Sequence, residues 1–430
     1  MNATTPDDAS SDDARGRPPE AGAVDVVVAG AGLNGLAAAL LLADVGARVA
    51  VVDPTPAERL AAPDYDWRTT AVAQGGMRLL ARVGAWDEAW RGGDIRDIRI
   101  VDADSPLFLH YDGAALDEGV LGCIVPNAPL RRRLYAAALA APRIDLRLGV
   151  AVAAFAARPD RIDVTLTDGG RLAARLLVGA DGRGSPVREK AGIAMRARDY
   201  RQTSIVATAA HARPHRGVAH ERFLPGGPFA ILPLPDVEDD DAPWPHRSSI
   251  VWTEGTPLAE RMLRLERPAF DQELAARFGD QFGAVRSVGP IGAYPLKLVL
   301  SERMTAPRIA LVGDAARAIH PIAGQGFNLG LRDSAELAEQ AGARLALGLD
   351  PGAPDVLAAY AARRLVDVGG MIAATDGMNR LFSNEIWPLR HGRRLGLAAV
   401  QALPPLKRRF MRHAMGLAGR SAALAGDDPV

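Results

Sequence analysis

The stretch that most constrains this chain is 24–53, VDVVVAGAGLNGLAAALLLADVGARVAVVD. VDVVVAG is a short, apolar, β-branched run suited to a strand buried in a parallel sheet. Gly30, Gly32 and Gly35 follow in GxGxxG spacing, LAAALLLADVG reads as a helix, and ARVAVVD reads as a second strand ending in Asp53. That order of strand, glycine turn, helix and strand gives the motif its meaning. Gly30 permits a tight turn, Gly32 lets the backbone approach a pyrophosphate, and Gly35 lets helix and strand pack closely. The helix N-terminus offers free amides to phosphate. Asp53 lies 18 residues beyond Gly35, where a carboxylate can hold a ribose diol. The stretch predicts a dinucleotide site, without deciding between FAD and a nicotinamide cofactor. An apolar βα unit with incidental glycines is the competing reading.

At 430 residues the chain can bury a large core, and two intimately joined domains are expected. Lys plus Arg and Asp plus Glu both number 51, so no basic excess draws nucleic acid to it. Its one cysteine, Cys123, excludes an internal disulfide framework and reads as a buried thiol. There is no CxxC, and eight scattered histidines give no metal signal. Residues 1–22, with acids among small residues and prolines, read as a disordered extension without the features of a secretory signal. The run 26–43 is nearly apolar enough for a short membrane span, but its glycines and Asn34 favour a buried βα unit. A cytoplasmic location is expected, with peripheral contact at the inner face of the cell membrane left open.

Further along, TTAVAQGGMRLLARVGAWDEAW reads as a helix, its start blurred by Gly75 and Gly76. Arg68, just before it, reaches toward a cofactor, enters a substrate cleft, or forms a surface salt bridge. Strand-like runs over 95–110 suggest a side sheet. PNAPLRRRLYAAAL reads as a helix in which Arg131 or a neighbouring arginine contacts a cofactor while others face solvent. ARLLVGA is a third buried-strand candidate, and it runs into Asp181-Gly182-Arg183-Gly184-Ser185. An acid beside glycines at a strand end is where α/β proteins place ligands, so Asp181 either fixes a cofactor or caps a turn.

From 200 to 251 the character changes, and SIVATAAH, GVAHERFL, FAILPL and SSIVWTE suggest successive antiparallel strands. PLAERMLRLERPAFDQELAARFG adds helices, and the sheet is expected to resume near 284–298. Phe223, Phe229, Trp252 and Tyr294 are candidates for an apolar substrate wall, or else ordinary core. A second glycine cluster then appears: RIALVGDAARAIHPIAGQGFNLGLRDSAELAEQAG. Asp314 suits ribitol or ribose hydroxyls, Gly324 and Gly326 let the backbone approach a ligand, and FNLGLRDSAELAEQ starts a helix there. Residues 371–417 read as mainly helical, and Lys407, Arg408, Arg409, Arg412 and His413 form a positive patch among Phe410, Met411, Met415 and Leu417, which suits either an anionic membrane surface or docking on the protein.

Taken together these motifs resemble the class A FAD-dependent aromatic hydroxylases, and more narrowly the ubiquinone-biosynthesis hydroxylases, from about Val24 to Gly419. The resemblance is carried by Gly30-x-Gly32-x-x-Gly35, by Gly179-Ala180-Asp181-Gly182 with Ser185, by Gly313-Asp314-Ala315-Ala316, and by His320-Pro321 through Gly324-Gln325-Gly326-Phe327-Asn328 to Asp333. Thr375-Asp376-Gly377 and Ala414-Met415-Gly416-Leu417 look like the quinone branch. Arg317 departs from the His found there in many aromatic hydroxylases, and Asp53 from a more frequent Glu.

The resemblance implies an α/β fold: a Rossmann-like FAD-binding domain with an inserted mixed or antiparallel-sheet substrate domain and C-terminal helices. The expected boundaries are 1–22 for the extension, 23–196 and 299–370 for the FAD-binding domain, 197–298 for the substrate domain, and 371–425 for the helical end. It also implies catalytic roles for Arg68, Pro321, Gly324 and Gln325. Cofactor contacts are implied for Gly30, Gly32, Gly35, Asp53, Arg68, Arg131, Asp181, Asp314, Gly324, Gln325, Gly326, Phe327 and Asn328. The implied reaction is hydroxylation of a prenylated phenol or quinol through a flavin C4a-hydroperoxide, using molecular oxygen and NAD(P)H or another reductant. A ubiquinone-biosynthesis complex and peripheral membrane contact are the implied associations; nucleic acid is not. Hydroxylation of a small soluble aromatic, a flavin oxidoreductase without oxygen insertion, and a noncatalytic flavin- or lipid-binding scaffold are the alternatives.

Overall fold

Val26–Ala29 lies inside a six-stranded sheet whose order is Thr305–Ala306, Ile309–Leu311, Leu176–Gly179, Val26–Ala29, Val49–Asp53, Ile144–Leu148. The computed structural model describes residues 24–62, 64, 66–87, 93–102, 105, 108–116, 119–238, 242–320, 324–382, 396, 400–403, 405, 407, 408, 411, 412 and 415. All pairings in this sheet are parallel except that of Thr305–Ala306. Val26 stands opposite Leu176 on one side and Val49 on the other. Both faces of the strand are covered, so Val26, Val27 and Val28 are all fully buried. The chain first adds Val49–Asp53 on one side and later Leu176–Gly179 on the other. A crevice therefore opens beyond the end of Val26–Ala29, where the glycine turn sits.

The helix Leu33–Asp44 packs on this sheet and against the helices Asn127–Ala140 and Gln325–Leu345. Leu36 through Leu42 are all buried, which a helix apolar around its circumference requires. Its contact with Gln325–Leu345 depends on Gly330, where a Cβ would lie 2.2 Å from Asn34 Oδ1.

The second large sheet has eight strands in the order Arg317–Ala318, Val285–Ser301, Met195–His211, His246–Gly255, Gly227–Leu234, Val218–Leu224, Asp97–Asp102, Phe108–Asp112. Its pairings are antiparallel except the parallel one between Val218–Leu224 and Asp97–Asp102. The strands expected over 200–251 and 284–298 are thus present. One face carries Phe229 and Trp252, which pack with Phe270, Leu274 and Phe278 of the helix Arg267–Phe278. The opposite face fronts a cavity.

Two local readings change. Thr69–Ala73 is a strand antiparallel to Gly122–Pro126, and the expected helix begins only at Gln74, running Gln74–Arg82. β-Branched Thr69, Thr70 and Val72 suit a pleated surface once a partner strand is available. Asp97–Asp102 and Phe108–Asp112, read as a side sheet, instead extend the eight-stranded sheet. The helix Pro354–Phe382 follows the second glycine cluster, and among the described residues no helix is long and apolar enough to cross a membrane. Residues 1–22, Pro321, Arg409, Phe410, His413, Ala414, Gly416 and Leu417 lie outside the described residues.

Candidate active site

The glycine turn shows a division of labour. Gly30 has φ +110°, and a Cβ there would fall 2.5 Å from the Ala180 carbonyl oxygen. A Cβ on Gly35 would fall 1.9 Å from the Gly30 carbonyl oxygen. These two glycines are demanded by the protein itself. Gly32 has ordinary extended geometry, φ −71°, and a Cβ would meet nothing within 4 Å. Its open side faces the cavity at the N-terminus of Leu33–Asp44, where unpaired amides favour an anion. Asp53 closes the turn from the next strand: Oδ2 accepts the Ala31 N–H at 2.6 Å and Oδ1 accepts the Thr55 N–H at 2.7 Å.

The second cluster approaches from the other side. Gly313 has φ +58° and sits against Asn34, 2.4 Å from a hypothetical Cβ to Nδ2. Its N–H donates to Asp333 Oδ2 at 3.0 Å. Fully buried Asp333 also receives Arg317 Nη2 at 2.5 Å and Arg364 Nε at 2.7 Å. Arg317, where a His was the familiar alternative, is therefore locked in a buried ion pair that holds the turn. Asp314 lines the cavity, 3.9 Å from Arg183. Burial pushes its carboxyl up, partly offset by the charges of Arg183, Arg317 and Arg68. Gly324 has φ +61° beside Ala71 and immediately precedes the helix Gln325–Leu345; a Cβ on Gly326 would meet open space.

Arg68 occupies the cavity wall between these clusters. Asp66 holds it in a two-pronged pair, Nε to Oδ1 at 2.8 Å and Nη2 to Oδ2 at 2.7 Å. Asn127 Nδ2 also donates to Asp66 at 2.9 Å. Burial pushes the Asp66 carboxyl up, but the hydrogen bonds from Arg68 and Asn127 and the Arg68 charge outweigh it and hold it below the usual value. Arg68 thus forms a salt bridge with Asp66 at the edge of the cavity.

One cavity of about 1120 Å³ joins these elements to the sheet. Of the expected cofactor residues, Gly30, Gly32, Asp53, Arg68, Arg131, Asp181, Asp314, Gly324, Gln325, Gly326, Phe327 and Asn328 line it; Gly35 lies behind the turn it packs. Arg131 points inward with Nε on the Leu60 carbonyl at 3.0 Å, while Arg132 is exposed. Asp181 has both oxygens engaged in its own loop, accepting from Ser185 Oγ and from the Val187 N–H at 2.9 Å. Asn328 is likewise engaged: Oδ1 accepts the Ala73 N–H at 2.8 Å and Nδ2 donates to the Ala71 carbonyl at 2.9 Å.

The far wall is apolar. Phe223 and Tyr294 line it as expected, but Phe229 and Trp252 belong to the opposite face of the sheet. A strand exposes alternate residues to each face, so aromatic identity alone does not assign the side. Met411 and Met415 are buried in this wall with Ile95, Leu121 and Ile124, so these two apolar residues of the basic C-terminal stretch face the protein. Asp66 and Glu221 were given no role from sequence, and Asn34 and Asp333 were named there only as parts of motifs. Glu221 sits between His220 and Arg222 in VAHERFL, where the run of polar residues hides which one faces the cavity.

The donors and spaces fit FAD. A backbone-lined gap beside Gly32 suits a pyrophosphate, Asp53 and Asp314 suit sugar hydroxyls, and the gap at Gly326 suits a flat ring against backbone amides. The profile of the family described as FAD binding domain matches residues 23–374. The ubiquinone hydroxylase UbiL of Rhodospirillum rubrum is 48% identical over 395 residues, covering 91% of this chain and 89% of that protein. The 3-demethoxyubiquinol 3-hydroxylase of Escherichia coli is 32% identical over 396 residues, covering 91% and 98%. The solved p-nitrophenol 4-monooxygenase PnpA from Pseudomonas putida shares the fold, with TM-score 0.74 at 19% identity, covering 93% of this chain and 99% of that one.

Proposed function

The chain belongs to the FAD-binding-domain family with FAD as its cofactor, and from that premise we propose that it hydroxylates the aromatic ring of a prenylated phenol or quinol in ubiquinone biosynthesis. The observation that carries this is the continuous cavity of about 1120 Å³, polar at the two glycine clusters and apolar along the sheet. At about 1120 Å³ it exceeds the roughly 300–1,000 Å³ common for a single ligand.

When bound, FAD supplies the redox chemistry by which reducing equivalents from NAD(P)H or another donor and molecular oxygen yield a hydroxylated ring and water. The chain's own residues bind, orient and exclude water. In this reading the Gly32 amides hold the pyrophosphate, Asp53 the ribose and Asp314 the ribitol. Arg68, fixed by Asp66, and the amides from Gly324 to Gly326 support negative charge at the flavin ring. Gln325, Phe327 and Asn328 shape that end of the cavity; Pro321 is assigned there from its motif. The apolar wall of the sheet orients the substrate and keeps water out.

This reading keeps 23–196 and 299–370 around the cofactor, 197–298 around the substrate and 371–425 as the helical end. The pairing of Asp97–Asp102 and Phe108–Asp112 into the large sheet supports giving that segment a substrate-side role. Peripheral membrane contact, and association with other ubiquinone-pathway enzymes, would supply a prenylated substrate. Exposed Arg408 and Arg412, next to inward-facing Met411, support an electrostatic surface contact.

The test is the purified chain with FAD, NAD(P)H, oxygen and a prenylated phenol, followed by mass spectrometry of the product. Gain of one oxygen on the ring is expected. A folded chain that binds no FAD, or that consumes reductant without ever hydroxylating a phenol, would overturn the proposal. Deleting the gene should leave a prenylated intermediate lacking that oxygen.

A further inference from the structure

On the strand Val218–Leu224, Glu221 lies between Ala219 and Phe223, and all three line the cavity. The intervening His220 and Arg222 make their side-chain contacts on the other face, although His220 also borders the cavity. His220 meets Phe282 edge-on at a ring distance of 5.4 Å, and Arg222 Nη1 donates to the Arg277 carbonyl at 2.6 Å. Across the sheet Glu221 stands opposite Ile100 on one neighbour and Ala230 on the other. Ala219 packs with Met411 and Met415, and Phe223 stacks on Phe382 at 4.1 Å.

Among the described residues Glu221 has no hydrogen-bond or ion-pair partner, and burial alone pushes its carboxyl up to about 7. Arg99 and Arg222, the cations of this region, act on His220 at the opposite face. Other titratable groups bordering the cavity here are adjacent His220, whose ring contacts lie on the opposite face, and Tyr111, two strands away and pushed up to about 12 by burial. An unpartnered carboxyl in an apolar wall is costly and contributes nothing to holding the sheet together. What satisfies it is whatever enters the cavity.

We infer that Glu221 accepts a hydrogen bond from a ring hydroxyl of the bound phenol and so determines how the ring is presented. The inference rests on the hydroxylase reading above. Such a contact is directional, whereas the surrounding isoleucines, methionines and phenylalanines grip a ring or tail without orienting it. It also gives a means of rejecting a ring whose hydroxyl is blocked, since the carboxyl would then stay buried without a partner.

The test compares the full-length wild type with Glu221→Leu and Glu221→Gln, using ortho-geranylphenol and its methyl ether as probes. Glu221→Met covers the case in which the leucine variant does not fold. Three quantities are read: FAD content, KM, and hydroxylated product per reductant consumed. Glu221→Leu should keep its FAD, raise KM for the phenol by about tenfold, and waste more reductant. Glu221→Gln, which retains an acceptor oxygen, should stay within about threefold of wild type. Wild type should prefer the phenol to its ether, and the leucine variant should not. Wild-type KM and yield in Glu221→Leu, or equal damage in Glu221→Gln, would overturn the inference while leaving the hydroxylase reading intact. A wild type that hydroxylates no phenol would overturn both.

Discussion

Asn328 and Ala73 are 255 positions apart in the chain, and the Asn328 Oδ1 accepts the Ala73 N–H at 2.8 Å. The same amide donates to the Ala71 carbonyl at 2.9 Å. A side chain beneath the second glycine cluster therefore clamps the backbone of the strand that follows Arg68. Loss of either partner strands a buried backbone group.

Asn328→Ala should lower stability by about 2–4 kcal/mol, the cost of two buried unpaired groups. Asn328→Asp keeps the shape but sets an oxygen against the Ala71 carbonyl and should be no better. Thermal unfolding followed with FAD fluorescence checks both; Asn328→Asp as stable as wild type would contradict the clamp.

Gly32 and Gly35 should respond to alanine in opposite ways. Gly35→Ala drives a Cβ to 1.9 Å from the Gly30 carbonyl oxygen and should disrupt the turn and the fold around it. Gly32→Ala meets no protein atom within 4 Å, so it should fold normally yet bind FAD at least about tenfold more weakly. Calorimetric titration with FAD beside a melting curve separates the two.

Arg68→Ala should impair turnover far more than folding. The Arg68 side chain is 58% exposed, and a pair this accessible contributes about 0–1 kcal/mol to stability. Asp66→Asn, which weakens the two-pronged hold, should reduce kcat in the same direction but less. Steady-state kinetics with melting temperatures give the comparison, and an unchanged kcat in Arg68→Ala would remove it from the site.

Glu221 also predicts a pH dependence of stability. Its carboxyl is raised from 4.5 to about 7, so the folded state holds the proton more tightly than the unfolded chain. Its contribution is fully present below the unfolded value, declines as pH rises toward 7, and levels off above it. Glu221→Gln removes this loss. It should gain on wild type between about pH 5 and about pH 8, by up to about 3 kcal/mol. Parallel melting curves across that range would show no such divergence if the carboxyl were paired.

The glycine turn, the buried strands beside it and the second glycine cluster were readable because each rests on local requirements. A positive φ, an unbranched close approach and a continuous apolar run leave their mark within a few residues of sequence. That is why Gly30, Gly35, Asp53 and Gly324 could be named in advance. Thr69–Ala73 could not be separated from the helix after it, because what makes it a strand is Gly122–Pro126, some fifty residues on.

The sequence by itself determined the dinucleotide-binding βαβ unit, the insertion of a sheet between two cofactor segments, and the inventory of polar groups available to the site. Tertiary structure decided which of those groups are engaged within the protein and which are left open to a ligand. Asn328 and Asp181 form hydrogen bonds at home, Arg317 is consumed by Asp333, and Glu221 is left open to a ligand. The reason is physical: a hydrogen bond or an ion pair depends on distance in space, and partners hundreds of residues apart leave no pattern in the order of the chain.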